Sequence, residues 1–168
     1  LNVKKTKEML IDFRVKKNAI EPLIIENEPV DTVHSYKYLG FMIDDKLNWH
    51  AQINTLCKKA NQRLFFLKKL KSYHVNMDIL GIFYTAIIQS IITFGISCWG
   101  GAITENDKKR IDKIIKKAGK TIGKEVLSIE DLYSSLSLKK AQKILKDSDH
   151  LLFSEYKSLI SERSKCLR

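Results

Sequence analysis

Apolar positions recur at every second residue near the N-terminus and at every third or fourth residue after Trp49, so the chain divides by pattern before any motif is considered. Lys7 to Phe13 puts Met9, Ile11 and Phe13 on one face of an extended segment and Leu10 and Asp12 on the other. Arg14 to Asn18 interrupts it. Pro22 to Ile25 is a second apolar run, separated from Val30 by Glu-Asn-Glu-Pro, a polar turn in which Asn27 tolerates a left-handed backbone. That arrangement predicts a hairpin. A third strand is expected over Tyr36 to Ile43, so residues 1–47 read as a small antiparallel sheet.

From residue 50 the period is helical. Ile53, Leu56, Ala60, Leu64, Leu67 and Leu70 form one stripe and predict a helix from about His50 to Tyr73. Asn76 is a candidate N-cap for a second helix ending near Gly95, whose wide apolar face must be largely buried. The most apolar stretch, Ile79 to Phe94, is 16 residues long and contains Gln89 and Ser90, which is short for a bilayer span. Thr104 and Asp107 have capping-box spacing ahead of a third stripe, Ile111, Ile114, Ile115, Ala118 and Ile122; Ser128 and Asp131 repeat the signal. Leu132, Leu136, Leu138, Ile144 and Leu145 then predict one or two shorter helices, followed by a polar tail from residue 148. The fold class expected is α+β: a small sheet over 1–47, a helical bundle over 48–147 and a tail over 148–168.

Charge changes the picture more than composition does. The 168 residues carry a net charge of +11, while 44% hydrophobic and 29% charged residues suit a chain that folds. Residues 1–73 hold 14 Lys/Arg against 8 acids, residues 74–124 hold 8 against 4, and the remainder is nearly neutral at 8 against 7. The first helix carries Lys58, Lys59, Arg63, Lys68, Lys69 and Lys71 with no acid between them. The third carries Lys108, Lys109, Arg110, Lys113, Lys116, Lys117, Lys120 and Lys124 against Asp112 alone. Cationic faces opposite apolar stripes suit phosphate contact, which positions a nucleic acid without reading its sequence.

Little else suggests chemistry. Cys57, Cys98 and Cys166 are too far apart for a disulfide framework or a zinc ribbon and suit reduced thiols of the cytosol or nucleus. His34, His50, His74 and His150 lack metal-ligand spacing, and Trp49 and Trp99 read as core anchors. The chain begins at Leu1 without Met, which reads as a fragment boundary.

Three ordered motifs carry a family resemblance. Leu1-Asn2-Val3-Lys4-Lys5-Thr6-Lys7 resembles the L-N-x-x-K-T-x of reverse-transcriptase motif D, and Tyr36-Lys37-Tyr38-Leu39-Gly40-Phe41 resembles the motif E primer grip. Asp44 to Trp49 resembles the D-x-x-L-x-W that follows it in LINE-type (non-LTR retrotransposon) enzymes, and the likeness extends through Arg63-Leu-Phe-Phe-Leu-Lys-Lys69 and Trp99-Gly100. The resemblance implies a palm remnant followed by a helical thumb, a non-catalytic fragment of an RNA-directed DNA polymerase. In the complete enzyme magnesium is implied, and Lys5 would act as a general acid or electrostatic stabiliser at the leaving pyrophosphate. Tyr36, Lys37, Tyr38, Leu39 and Gly40 would then grip the primer, while Lys58, Lys59, Arg63, Lys68, Lys69, Lys109, Arg110, Lys113, Lys116 and Lys117 would hold the duplex. The implied partners are an RNA/DNA or DNA duplex and the missing fingers and palm of the parent polyprotein, with no membrane. The catalytic aspartates lie upstream in that family, and Asp44-Asp45 reads as turn chemistry, so no metal site is expected in this chain.

A second resemblance runs from Leu1 to about Phe41, which is similar to the small N-terminal segment assigned to AlkB-homologue alkylation-repair and tRNA-modifying proteins. The sequence has no H-x-D iron-ligand motif, so the implied role is again non-catalytic. A helical protein-interaction module and an anionic-membrane binder are the remaining alternatives.

Overall fold

The structure, a computed structural model, describes residues 2–14 and 21–166, with side chains as far as residue 159. Leu1, the interruption expected over 15–18 and Arg168 lie outside the described residues. The chain is α+β, but the expected single sheet resolves into three two-stranded pieces among the described residues. β1 (Lys7–Glu8) pairs in parallel with β4 (Asp31–Thr32). β2 (Ile24–Ile25) pairs antiparallel with β3 (Glu28–Pro29), and β5 (Ser35–Tyr38) pairs antiparallel with β6 (Phe41–Asp44). The strand expected over 7–13 stops at Glu8, where its pairing with β4 ends, and its apolar face is only partly covered among the described residues; Ile11 and Phe13 are 42% and 72% exposed. The Glu26-Asn27 turn forms as its sequence predicts, both residues being left-handed at φ 53° and 64°.

The strand expected over Tyr36 to Ile43 is a hairpin instead. Leu39 and Gly40 take φ of 46° and 91°, a left-handed pair whose twist suits a two-residue turn. Asp44 closes the hairpin as turn chemistry, accepting hydrogen bonds from the backbone N–H groups of Lys46 and Asn48 at 3.0 and 3.2 Å.

After a left-handed Trp49, α1 runs His50–Ser72. The side chain of Asn76 accepts from Asp78 N at 2.8 Å and starts α2 (Met77–Phe83), which continues through a π-helical turn, Tyr84–Gln89, into α3 (Ser90–Thr93). Within this run the hydroxyls of Thr85, Ser90 and Thr93 donate to carbonyls four residues earlier, back-bonding that bends helices. Phe94 and a left-handed Gly95 end it before α4 (Ile96–Trp99). α5 (Glu105–Ile122) begins at the Thr104 cap and α6 (Ile129–Leu145) at a complete capping box between Ser128 and Asp131. α6 is one helix where two were possible. The polar tail expected from 148 onward forms α7 (Phe153–Cys166), which packs on α6.

The core lies between α1, the α2–α3 run, α4, α5 and α6, with Ile53, Leu67, Leu80, Ile88, Trp99, Ile111 and Ile115 sealed from solvent. Trp99 is fully buried and donates its indole N–H to Phe94 O at 3.0 Å, whereas Trp49 packs at the edge. The second apolar segment departs from expectation. Leu80, Tyr84, Ile88 and Ile92 face the core, but Ile79 and Ile82 are 56% and 67% exposed, because α1 and α5 cover only one side of the helix. The helical run Met77–Trp99 has 23 residues, and an 18-residue window within it has a mean hydropathy of 1.9, so length and composition would let it cross a membrane, unlike the 16-residue stretch read from the sequence. The run is interrupted at Phe94 and the left-handed Gly95, φ 57°.

Phe41 ties the hairpin to this bundle. Its ring stacks on Phe94 with centroids 4.7 Å apart, and a Cβ on Gly95 would lie 2.1 Å from it. Gly95→Ala is therefore expected to cost about 2–3 kcal/mol from steric displacement and left-handed strain combined, measured by urea unfolding. Loss of protection at Phe41 to Asp44 should accompany it in hydrogen exchange. In the same experiment on the native chain, amides of α1 and α5 should exchange more slowly than those of β1 to β4, since the buried hydrophobic residues apart from Val30 lie between Ile53 and Ile144. Burial raises the Cys57 thiol above its ordinary range while Cys98 is exposed. Iodoacetamide should thus label Cys98 quickly and Cys57 only on unfolding, read by peptide mapping; comparable native rates would contradict this packing.

Candidate nucleic-acid interface

Two helices hold the cationic faces, and one buried carboxylate aligns them. Asp107, fully buried near the start of α5, accepts from Thr104 Oγ1 at 2.9 Å, from His50 Nδ1 at 3.2 Å and from Arg110 Nη1 at 2.9 Å. Arg110 Nη2 also donates to Asn54 Oδ1 at 2.7 Å. His50 meets Asp107 and Asn54 meets Arg110, so α1 and α5 run parallel, start to start. Ile53, Cys57, Ala60 and Leu64 pack on one side of the seam and Ile111, Ile114, Ile115 and Ala118 on the other. A parallel pair joined along buried stripes presents its remaining faces side by side.

Those faces are basic. Lys58, Lys59, Arg63, Lys68 and Lys69 are exposed on α1, and Lys109, Lys113, Lys116, Lys117 and Lys120 are exposed on α5. None of the ten has an ion-pair partner among the described residues. The α5 lysines line a shallow cleft of about 360 Å³. Asp112, the one acid interspersed with them, accepts a hydrogen bond from Ile129 N at 2.8 Å and thereby anchors the start of α6. Lys69 lies over the Tyr73 ring, 5.7 Å from its centroid.

Other basic residues are spent. The Arg110 guanidinium, expected to meet a duplex, is committed to Asp107 and Asn54 as a structural tie. Lys108 pairs with Glu105 at 2.8 Å and lies 3.7 Å from Glu130; its hydrogen bond to Glu105 holds its pKa above the usual lysine range. Lys124 is 3.5 Å from Asp78.

The N-terminal candidates form no common site with these helices. Lys5 is exposed in the short turn Val3–Lys5. Tyr36, Lys37, Tyr38, Leu39 and Gly40 are the exposed outer strand and tip of the β5–β6 hairpin, which meets the bundle through Phe41 and through Met42 N donating to Gln52 Oε1 at 3.0 Å. Tyr36 and Tyr38 instead line a hollow of about 440 Å³ with Met9, Ile11, Val33 and Ile43. Among the described residues no three His, Cys, Asp or Glu side chains group as metal ligands. Asp45 is 2.9 Å from His34.

Sequence reasoning missed the Asp107 network and an aromatic pair. Thr104-Glu-Asn-Asp107 announces a cap, but nothing local links it to His50, 57 positions away. Phe65 and Phe66 had a readable signal, since Leu64 and Leu67 already occupy the buried stripe. Their rings are 59% and 49% exposed.

A family described as alkylated DNA repair protein alkB homolog 8, N-terminal, has a model that matches residues 49–90. No curated protein matches, and no solved structure matches. The match covers a quarter of the chain and falls on α1, α2 and the π-helical turn, downstream of the segment from Leu1 to Phe41 whose AlkB resemblance the sequence suggested. It overturns the polymerase reading: nothing found points to a reverse transcriptase or a LINE element, and the palm, thumb and primer-grip roles are withdrawn.

Proposed function

We propose that this chain is a non-catalytic module that binds a nucleic-acid duplex through its phosphates, in the service of alkylation-repair chemistry carried out by another domain or protein. One observation carries the reading: exposed cations without ion-pair partners among the described residues line α1 and α5, two helices whose relative position is fixed by a buried hydrogen-bond network. Fixed cations suit a regular polyanion because they lose little side-chain and backbone freedom on binding beyond that of the lysine tips. The family match supports the repair setting, since the matched residues include α1 and the matching family is described by alkylated DNA repair.

The contact requires no metal, so binding is expected to be unchanged in EDTA. Its signature is counterion release. If the two faces meet about four to six phosphates, the logarithm of the association constant should fall against log salt with a slope of roughly −3 to −5, whatever the duplex sequence. Replacing Lys113, Lys116 and Lys117 by Ala should lower that slope by up to about 3, and replacing Lys58, Lys59 and Arg63 should lower it similarly. Arg110→Ala acts differently, because it loosens Asp107 and α1 together. It should reduce thermal stability, by about 1–3 kcal/mol for the charged hydrogen bonds lost. A duplex affinity that ignores salt, or a triple variant that keeps the full slope, would favour a protein-interaction role and overturn the phosphate reading.

A further inference from the structure

We infer that the outer crest of α1 is a base-stacking platform for unpaired nucleotides, so that the preferred ligand is a duplex carrying a single-stranded extension. The inference rests on the phosphate-binding reading above and adds a part that lysines cannot supply. Phe65 and Phe66 stand side by side on a helix whose buried stripe is already filled by Leu64 and Leu67. Their rings meet edge to face, with centroids 5.8 Å apart and planes at 71°. With Gln62 and Arg63 they line a cleft of about 420 Å³ open to solvent. Two exposed phenyl faces cost solubility unless something covers them.

The surroundings specify what does. Lys58 and Lys59 lie about two turns before the pair, and Lys68 and Lys69 follow it within one turn, all exposed and without acidic partners among the described residues. A backbone drawn along those cations brings its bases to the rings, and every base has a π face to stack on, whatever its identity. A paired base inside a duplex offers no such face. Gln62 and Arg63 at the cleft wall add donors for a base edge or phosphate.

The experiment uses the whole chain and three DNA probes: a blunt duplex, the duplex with a short single-stranded extension, and the same extension made abasic. The last two carry equal phosphate charge. The extension with bases should bind roughly 5- to 100-fold more tightly than its abasic counterpart. F65A/F66A should abolish that gap and leave the salt slope intact; F65L/F66L, which keeps apolar bulk without a π face, should also lose most of it. Both changes are on exposed positions, and thermal melting confirms folding. Equal binding of the two extended probes, or a gap that survives F65A/F66A, would overturn the stacking platform while a persisting salt slope leaves the phosphate reading standing. Absence of any salt slope would instead remove that reading. If F65A/F66A converts a dimer to monomer in sedimentation and leaves the gap unchanged, the rings cover a second copy and the inference fails.

Discussion

The carboxylate of Asp107 is the constraint on which the rest of the arrangement depends. A buried carboxylate is tolerated only when its lone pairs are occupied, and Thr104, His50 and Arg110 occupy them from three positions. Thr104 makes it part of the α5 cap, Arg110 carries the link on to Asn54, and His50 ties it to the first residue of α1. The result is a register: sliding the first turns of the two long helices past each other breaks the hydrogen bonds His50–Asp107 and Arg110–Asn54 together. Apolar stripes alone would hold α1 against α5 but would fix their axial offset less sharply, since one isoleucine ridge resembles the next.

The same logic separates the parts of the molecule. Around the α1–α5 seam, apolar burial and the polar network point to one answer, so local and global preferences agree. The N-terminal third lacks that agreement. Its strands are two to four residues long, its ladders are pairs, and its apolar side chains Ile11, Phe13, Leu23 and Ile24 remain exposed. Among the described residues it is the β5–β6 hairpin that joins this part to the bundle, through Phe41 lodged against Phe94 and the bare α-carbon of Gly95.

These differences explain what could be read from sequence. The helices after Trp49 were legible because stripes and caps are local signals: α1 showed by its stripe, and Asn76, Thr104 and Ser128 each accept the expected N–H at the starts of α2, α5 and α6. The strands were not, because a ladder is set by partners and cover elsewhere in the chain; Tyr36 to Ile43 looks like one strand until Leu39 and Gly40 turn left-handed. The cationic faces could be listed from the sequence, but not which cations were spare. Arg110 and Lys108 read like their neighbours and yet are tied to Asp107, Asn54 and Glu105. Motif-level likeness misled most, because short strings around Lys5 and Tyr36 fitted a family that the comparisons do not support, while the matched residues lie on α1 and the helix after it.

The spare cations have an energetic consequence that bears on function. Lys109 and Lys113, Lys113 and Lys117, and Lys116 and Lys120 are like charges four residues apart on α5, each pair costing a few tenths of a kcal/mol in an isolated helix. The available acid does not relieve them, since Asp112 is turned to the backbone of Ile129. Like-charge repulsion along this face therefore disfavours α5, and the buried side, Ile111, Ile114, Ile115, Ala118 and Ile122, together with the Thr104 cap, offsets it. A polyanion laid along this face relieves the repulsion, so binding should stabilise α5 as well as use it. On the proposed phosphate contact, that coupling would give the cationic face a physical reason to coincide with the α1–α5 pair, whose buried side offsets the repulsion in the absence of a bound counter-charge.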